Sequence, residues 1–202
     1  MRRRWARRAR GEGGAALVEL AFVAMILSLL AAGGYDYGMG YRAGLGVIEG
    51  TRTGARVGSS IGNDIQADFQ ILSSSKSALQ SSGLLPYVEK VVIYRSTNVN
   101  GDIPNNCKNY TSGSVNDYCN IFMGDDFRNL PATWSSSIAD GNGCLDIDRN
   151  ARWCPTARKD IQAYAEYVGV WIQIKYPYQF RMLGSTITIN KDSVMRIEPT
   201  DG

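Results

Sequence analysis

Histidine is absent from the 202 residues. Ser-His-Asp and Cys-His catalysis need imidazole as the base, so both are excluded, as are zinc sites built on histidine. A basic face is also lacking, although the formal net charge is +3. Six of the 22 basic residues (Arg2, Arg3, Arg4, Arg7, Arg8 and Arg10) fall in the first ten positions, and the leader through Gly14 holds one acid, Glu12. The remainder carries 16 basic and 18 acidic residues, a balance that argues against a nucleic-acid partner. Cysteine is missing from the first half of the chain. The four present, Cys107, Cys119, Cys144 and Cys154, follow one another at spacings of 12, 25 and 10. Four-cysteine zinc sites usually use pairs two to four residues apart, so this even count reads as two disulfides in an oxidising compartment and no metal. Pairing neighbours gives Cys107–Cys119 and Cys144–Cys154, each contributing roughly 2–3 kcal/mol in the chain-entropy model. The other two connectivities remain open.

Long apolar runs are missing except at one place. Ala15 to Gly34 (AALVELAFVAMILSLLAAGG) has 20 residues and one charge, Glu19. At ~1.5 Å per residue it spans about 30 Å, the thickness of a bilayer's hydrocarbon core. The arginines before it keep the N-terminus cytoplasmic, which puts the residues after Gly34 outside. A secretory signal peptide is the rival reading, but its apolar core is shorter, about 7–15 residues. A charge inside the span costs about 2.5–3.5 kcal/mol on insertion scales, so Glu19 calls for a functional explanation.

Gly14 directly precedes the run, and Glu19 follows it by five residues in GG-AALVEL. This arrangement resembles the class III signal of type IV prepilins. The resemblance implies that a membrane-embedded prepilin peptidase cuts after Gly14 and makes Ala15 the new N-terminus. It also implies that Glu19 pairs with the terminal amine of a neighbouring subunit. The chemistry is coherent, because a carboxylate in hydrocarbon gains most from a partner cation.

Beyond the span, Gly46, Gly50, Gly54, Gly58 and Gly62 recur at a strict spacing of four, and Gly34/Gly38 and Gly40/Gly44 add two such pairs. Four apart on a helix means one side, so the ladder forms a shallow groove that admits another backbone closely. Each glycine costs up to ~1 kcal/mol of helix stability relative to alanine, so the groove needs something packed in it. A flexible glycine-rich linker is the alternative. Val47, Ile48, Val57 and Ile61 between the glycines, with Glu49 three residues before Arg52, favour a helix. The string EGTRTGAR resembles the region after the span in TadE-type proteins of tight-adherence pili, with Gly50-Thr51 where alanine is more usual. The C-terminal Val194-Met195-Arg196-Ile197-Glu198-Pro199 is similar to the string that ends actinobacterial TadE-like proteins. The resemblance implies helix-mediated assembly with other pilins through Gly46, Gly50, Gly54 and Gly58.

Residues 63–82 carry Ile65, Phe69, Leu72 and Leu79 at roughly helical spacing, with Asn63 as the candidate cap and Leu84-Leu85-Pro86 as the stop. VEKVVIYRS from Val88 reads as a strand. Tyr167 to Tyr176 alternates Val168, Val170, Ile172 and Ile174 with Gly169, Trp171, Gln173 and Lys175, and Ser185 to Ile197 keeps Ile187, Ile189, Met195 and Ile197 on one parity. These predict an antiparallel sheet whose apolar face packs on helix. Residues 96–155 form an Asn-, Gly- and Ser-rich insertion that holds the cysteines. Its DGNGCLDID string lacks the EF-hand order and reads as an Asx/Gly turn, not a calcium site. Trp134, Trp153, Tyr164, Tyr167 and Trp171 read as core and hairpin packing sooner than a sugar-binding surface.

The expected architecture is therefore α+β. A basic leader (1–14), a transmembrane helix (15–34) and a glycine-rich helical extension (35–62) precede a disulfide-braced head with a small antiparallel sheet (63–202). The expected function is that of a non-enzymatic minor pilin or pilus-assembly protein, with no cofactor, no metal, no small-molecule substrate and no nucleic acid. Its partners are the membrane, other pilins and the prepilin peptidase. A membrane-anchored envelope module that binds glycan or protein is the second reading.

Overall fold

The computed structural model describes residues 12–161, 163–181 and 184–199. The leader arginines lie outside the described residues. One helix, α1 (Glu12–Ile61), runs unbroken for 50 residues, about 75 Å at helical rise. Its two halves differ in what they touch. The apolar half is bare: an 18-residue window of mean hydropathy 2.4 holds no buried residue. It is long and apolar enough to cross a membrane. From Asp36 onward, buried positions recur every three or four residues: Asp36, Gly40, Ala43, Val47, Gly50, Gly54 and Gly58. Gly62, at φ +65°, ends the helix with the left-handed residue that glycine adopts without steric cost.

A second helix, α2 (Ala67–Ser81), turns back along α1. It starts three residues later than a cap at Asn63 would place it, with Gln66 at the cap position. Asp64 takes up the turn instead, its Oδ1 accepting the Gln66 N–H at 2.7 Å, and no side chain caps the helix. The chain then forms β1 (Val88–Ser96), a short helix α3 (Asn105–Lys108), β2 (Cys119–Met123), a second short helix α4 (Gly124–Arg128), β3 (Tyr167–Pro177) and β4 (Thr186–Arg196). The sheet order is β2-β1-β3-β4, antiparallel throughout. The α+β class, the long apolar helix and the disulfide-braced sheet thus match the sequence reading. β2 does not: it lies inside the segment expected to be irregular.

The sheet is covered on both faces. Val91, Ile93, Val168, Val170, Ile172 and Ile174 face the two helices in one core with Val47, Ala55, Ile71, Leu72 and Leu79. Val92, Tyr94, Ile121 and Trp171 face the other way and pack with Ile103, Cys107 and Cys119. The period-two pattern of β3 predicts a half-buried strand, yet Gly169 and Trp171 are buried as well. The reason is a lid over the far face, the loop closed by Cys107–Cys119. Gly169 is needed there, since a Cβ would lie 2.3 Å from the Tyr94 ring. Lys90 ties the lid down by donating from Nζ to the carbonyls of Lys108 (2.5 Å) and Tyr110 (3.1 Å).

The seam between α1 and α2 runs along the glycine ladder. A Cβ on Gly46 would meet Leu84 at 2.6 Å, on Gly50 Leu79 at 3.1 Å, on Gly54 the Ser75 hydroxyl at 2.2 Å, and on Gly58 Ile71 at 2.8 Å. Real Cβ atoms essentially never come as close as at Gly46, Gly54 and Gly58, and the Gly50 contact is tighter than most, so any larger residue forces Leu84, Leu79, Ser75 or Ile71 to shift. Gly38 is different, because a Cβ there meets nothing within 4 Å. Gly54→Leu is therefore expected to destabilise the head by about 3 kcal/mol or more in denaturant titration, through overpacking. Gly38→Ala is expected to gain up to about 1 kcal/mol of helix stability. Equal behaviour of the two variants would contradict the seam.

Candidate functional site

The residues singled out by sequence fall into three places. Gly14, Ala15 and Glu19 sit on the bare N-terminal part of α1, all exposed. Glu19 lies four residues past Ala15, about 6 Å along the axis, and projects from the helix into the apolar band formed by Leu17, Val18, Leu20, Phe22 and Val23. A side chain at Gly14 meets nothing within 4 Å, so substitution there does not disturb the fold.

The ladder glycines are helix-packing residues, but their partner is this chain. Gly46 to Gly58 pack against α2, and Gly50 and Gly58 also approach Ile172 and Val168 of β3. The groove expected to receive other pilins is filled by the head itself. The sequence spacing reported that a backbone comes close without saying which one. Gly40 and Gly44 lie further down and, with Tyr37, Tyr41, Ile187 and Ile189, line an apolar cleft of about 240 Å³ between α1 and the edge strand β4. The Glu49–Arg52 pair is not formed. Glu49 instead accepts from Thr53 Oγ1 at 3.4 Å.

All four cysteines pair as neighbours, Cys107–Cys119 and Cys144–Cys154. The bridges brace opposite faces of the sheet. Cys107 and Cys119 belong to the far-face cluster, whereas the loop around Cys144 and Cys154 sends Leu145 and Trp153 into the helix-side core. The DGNGC string is an Asx turn, with Asp140 Oδ1 accepting the N–H groups of Asn142 and Cys144, each at 2.9 Å. Among the described residues, no three acidic or cysteine side chains gather in a way that would hold a metal ion. The aromatics do not form one surface either. Trp153 and Trp171 are buried, Trp134 packs edge-on against Phe69 at 5.9 Å, and of the five aromatics weighed as a sugar-binding surface Tyr164 alone is widely exposed.

Perturbed carboxyls mark candidate active sites, and two lie close together under the Trp153 loop. Asp68 of α2 is fully buried and forms an ion pair with Arg158, which is buried with it. Asn120 Nδ2 donates to Asp68 Oδ2 at 2.6 Å and to the Trp153 carbonyl at 3.0 Å, while Asn120 Oδ1 accepts the Trp153 N–H at 2.9 Å. The Arg158 guanidinium lies over the Trp153 ring, 4.5 Å from its centroid. Burial raises the Asp68 carboxyl, against the opposing pull of the Arg158 charge and of the two side chains bonded to it. Asp148 is lifted from 3.8 to about 7 by burial, with bonds from the Asn150, Ala151 and Ile121 N–H groups opposing and the nearby Asp68 charge adding to the rise. Most of the polar atoms here are bonded between β2, α2 and the loop 144–158, while Arg158 Nε and Nη1 and Asp148 Oδ2 are buried without a hydrogen-bond partner. Asp68 has no exposed surface through which a substrate could reach it. The cluster reads as a structural joint.

Asp36 is the residue sequence reasoning missed. It is buried in α1, two residues past the apolar run, and its Oδ1 accepts the backbone N–H groups of Gln179 and Phe180 at 3.0 Å each. It thereby pins the β3–β4 turn to the stem. An acid just after a membrane run was the available signal, but its partners lie 143 and 144 residues away.

Compared with known proteins, the chain matches no family model, no curated protein and no solved structure.

Two expected outcomes follow from the joint. Arg158→Met leaves the Asp68 charge buried and alone, which is expected to cost about 3–5 kcal/mol. The double variant Asp68→Leu/Arg158→Met is expected to recover most of that loss in chemical denaturation. Asp148 titrates above an unfolded aspartate, so its share of stability is present below about pH 4 and is lost as pH rises through about 7. Asp148→Asn keeps the acceptor oxygen for Ile121 and Asn150. It is expected to flatten the fall in melting temperature across that window and to gain on the order of 1–3 kcal/mol at pH 8. An unchanged slope in the variant would exclude Asp148 as the source.

Proposed function

We propose that the protein is a non-enzymatic pilin-like subunit or assembly protein of a tight-adherence pilus. It is anchored by residues 15–34, with its leader cytoplasmic and its head outside. The reading is carried by one observation: a single helix is bare and apolar in its first half and serves as a core element of the head in its second. Such a helix joins anchor and head without a hinge, so a lateral contact made in the membrane fixes where the head is displayed. Glu19 suits this role, being the lone charge in the bare run. Paired with the ammonium that cleavage after Gly14 creates at Ala15 of a neighbour, it would lose the cost of an isolated charge in hydrocarbon. The two disulfides fit a head that matures in an oxidising, extracytoplasmic compartment.

In this reading the glycine ladder builds the subunit, and contacts between subunits fall to the bare span and Glu19. The protein performs no chemistry on its own account. Gly14 and Ala15 are substrate positions of the prepilin peptidase.

N-terminal sequencing of the mature protein tests the reading. Ala15 is the expected first residue, and Gly14→Asp is expected to leave the full-length chain while the head folds normally. A mature protein that still begins at Met1 would refute processing at Gly14.

A further inference from the structure

The β3–β4 hairpin turns at the foot of the head, beside the end of the apolar run. We propose that Phe180 and Arg181, which follow β3, together with Tyr35 and Tyr37 of α1, form a second membrane contact seated among the headgroups of a phospholipid bilayer. The inference rests on residues 15–34 being a membrane span, and it adds that the head itself touches the bilayer.

Height along α1 is the first argument. Asp36 holds the Gln179 and Phe180 N–H groups at 3.0 Å. Asp36 is two residues past Gly34, about 3 Å along the helix axis. The turn is therefore fixed at the level where hydrocarbon gives way to headgroups, a zone about 5–7 Å thick on each side. Tyr35 and Tyr37 lie about 1.5 and 4.5 Å above Gly34, inside that zone, and Tyr41 at about 10 Å lies beyond it.

Chemistry is the second argument. Phe180 keeps 54% of its surface exposed and Tyr37 70%, although a large core is within reach. Tyr35 and Phe180 meet edge to face, 5.6 Å between centroids, and so form one exposed aromatic patch. Tyrosine favours the membrane interface because its ring is apolar and its hydroxyl is polar. Arg181 is exposed beside Phe180 and supplies the fork that binds phosphate. Asp36, the carboxylate at this level, is buried and bonded to the Gln179 and Phe180 N–H groups, so it does not face the bilayer surface. An apolar span and an aromatic, cationic rim thus continue into one another on the same helix.

The test uses the full-length protein in vesicles of three parts phosphatidylcholine to one part phosphatidylglycerol. The phosphatidylcholine is brominated at the headgroup end of its chains for positions 180, 37 and 164, and at mid-chain in a second preparation that reads Ile26→Trp, which lies about 12 Å below Gly34. Single tryptophans are read as the difference from the parent protein: Phe180→Trp and Tyr37→Trp at the foot, Ile26→Trp in the span and Tyr164→Trp on the head. The proposal expects the added emission of Phe180→Trp and Tyr37→Trp to be largely lost on bromination, while that of Tyr164→Trp is unchanged. Quenching of Ile26→Trp with none at positions 180 and 37 would overturn the second contact and leave the anchor standing. No quenching at Ile26→Trp would overturn the anchor and the contact together. Quenching of all four, Tyr164→Trp included, would show the head lying on the bilayer without a defined foot and would overturn the assignment.

Discussion

The close approach of α1 to α2 is the constraint on which the rest of the structure depends. A helix that leaves a membrane stem has no neighbours of its own and must be given some by the chain that follows. Here the neighbour fits because the stem presents backbone where other helices present side chains. Gly50, Gly54 and Gly58 let Leu79, Ser75 and Ile71 settle against the axis. Four glycines cost up to about 4 kcal/mol of intrinsic helix stability, which the apolar surface buried by Leu79, Ile71, Ile172 and Val168 offsets at roughly 25 cal/mol per Å². With the two helices in contact, they form one platform. The sheet lays Val91, Ile93, Val170 and Ile174 on it.

Long, regular elements were legible in the sequence and pieces defined by distant partners were not. Tyr167 to Tyr176 announces a strand through alternation, and Val88 to Ser96 through β-branched residues. The apolar run and its continuation announce a helix. β2 gives no such signal. Its five residues include Asn120, whose polarity reads as loop until Asp68 and Trp153 are seen to satisfy it. The glycine spacing disclosed a tight packing line but was silent on whether the occupant is another subunit or the same chain. Asp36 and the joint around Arg158 depend on residues dozens to more than a hundred positions apart, which no local pattern encodes. Neighbour pairing of the cysteines was the simplest choice and is the one formed, because each pair closes a short loop.

The head handles its polar interior in one place. Asp68, Asn120, the Arg158 Nη2 group and the Trp153 backbone bond to one another between α2, β2 and the loop that follows, with Arg158 Nε and Nη1 left buried and unbonded. Buried ion pairs add little net stability when compared with apolar residues of the same shape. What such a cluster supplies is register, since shifting β2 by one residue would turn Asn120 away from Asp68 and bring an apolar side chain to the charge. The irregular segment, poor in repeating pattern, is thus located by a few specific contacts and two covalent closures.

The strand order carries a consequence for how the chain matures. A polypeptide is made from its N-terminus, and β1, β2, β3 and β4 arrive in that sequence. In the sheet β2 flanks β1 on one side, β3 adds to the free side of β1, and β4 adds to β3. No strand has to be inserted between two that are already paired. All four cysteines precede β3 in the chain, and their bridges span only 12 and 10 residues. The sheet can therefore grow outward by accretion from a braced β1–β2 pair. The last strand reaches the stem helix, where Arg196 O accepts from the Ser59 hydroxyl and Ser59 O accepts from the Glu198 N–H. The last strand of the sheet is thereby fastened to the helix that precedes it by more than a hundred residues.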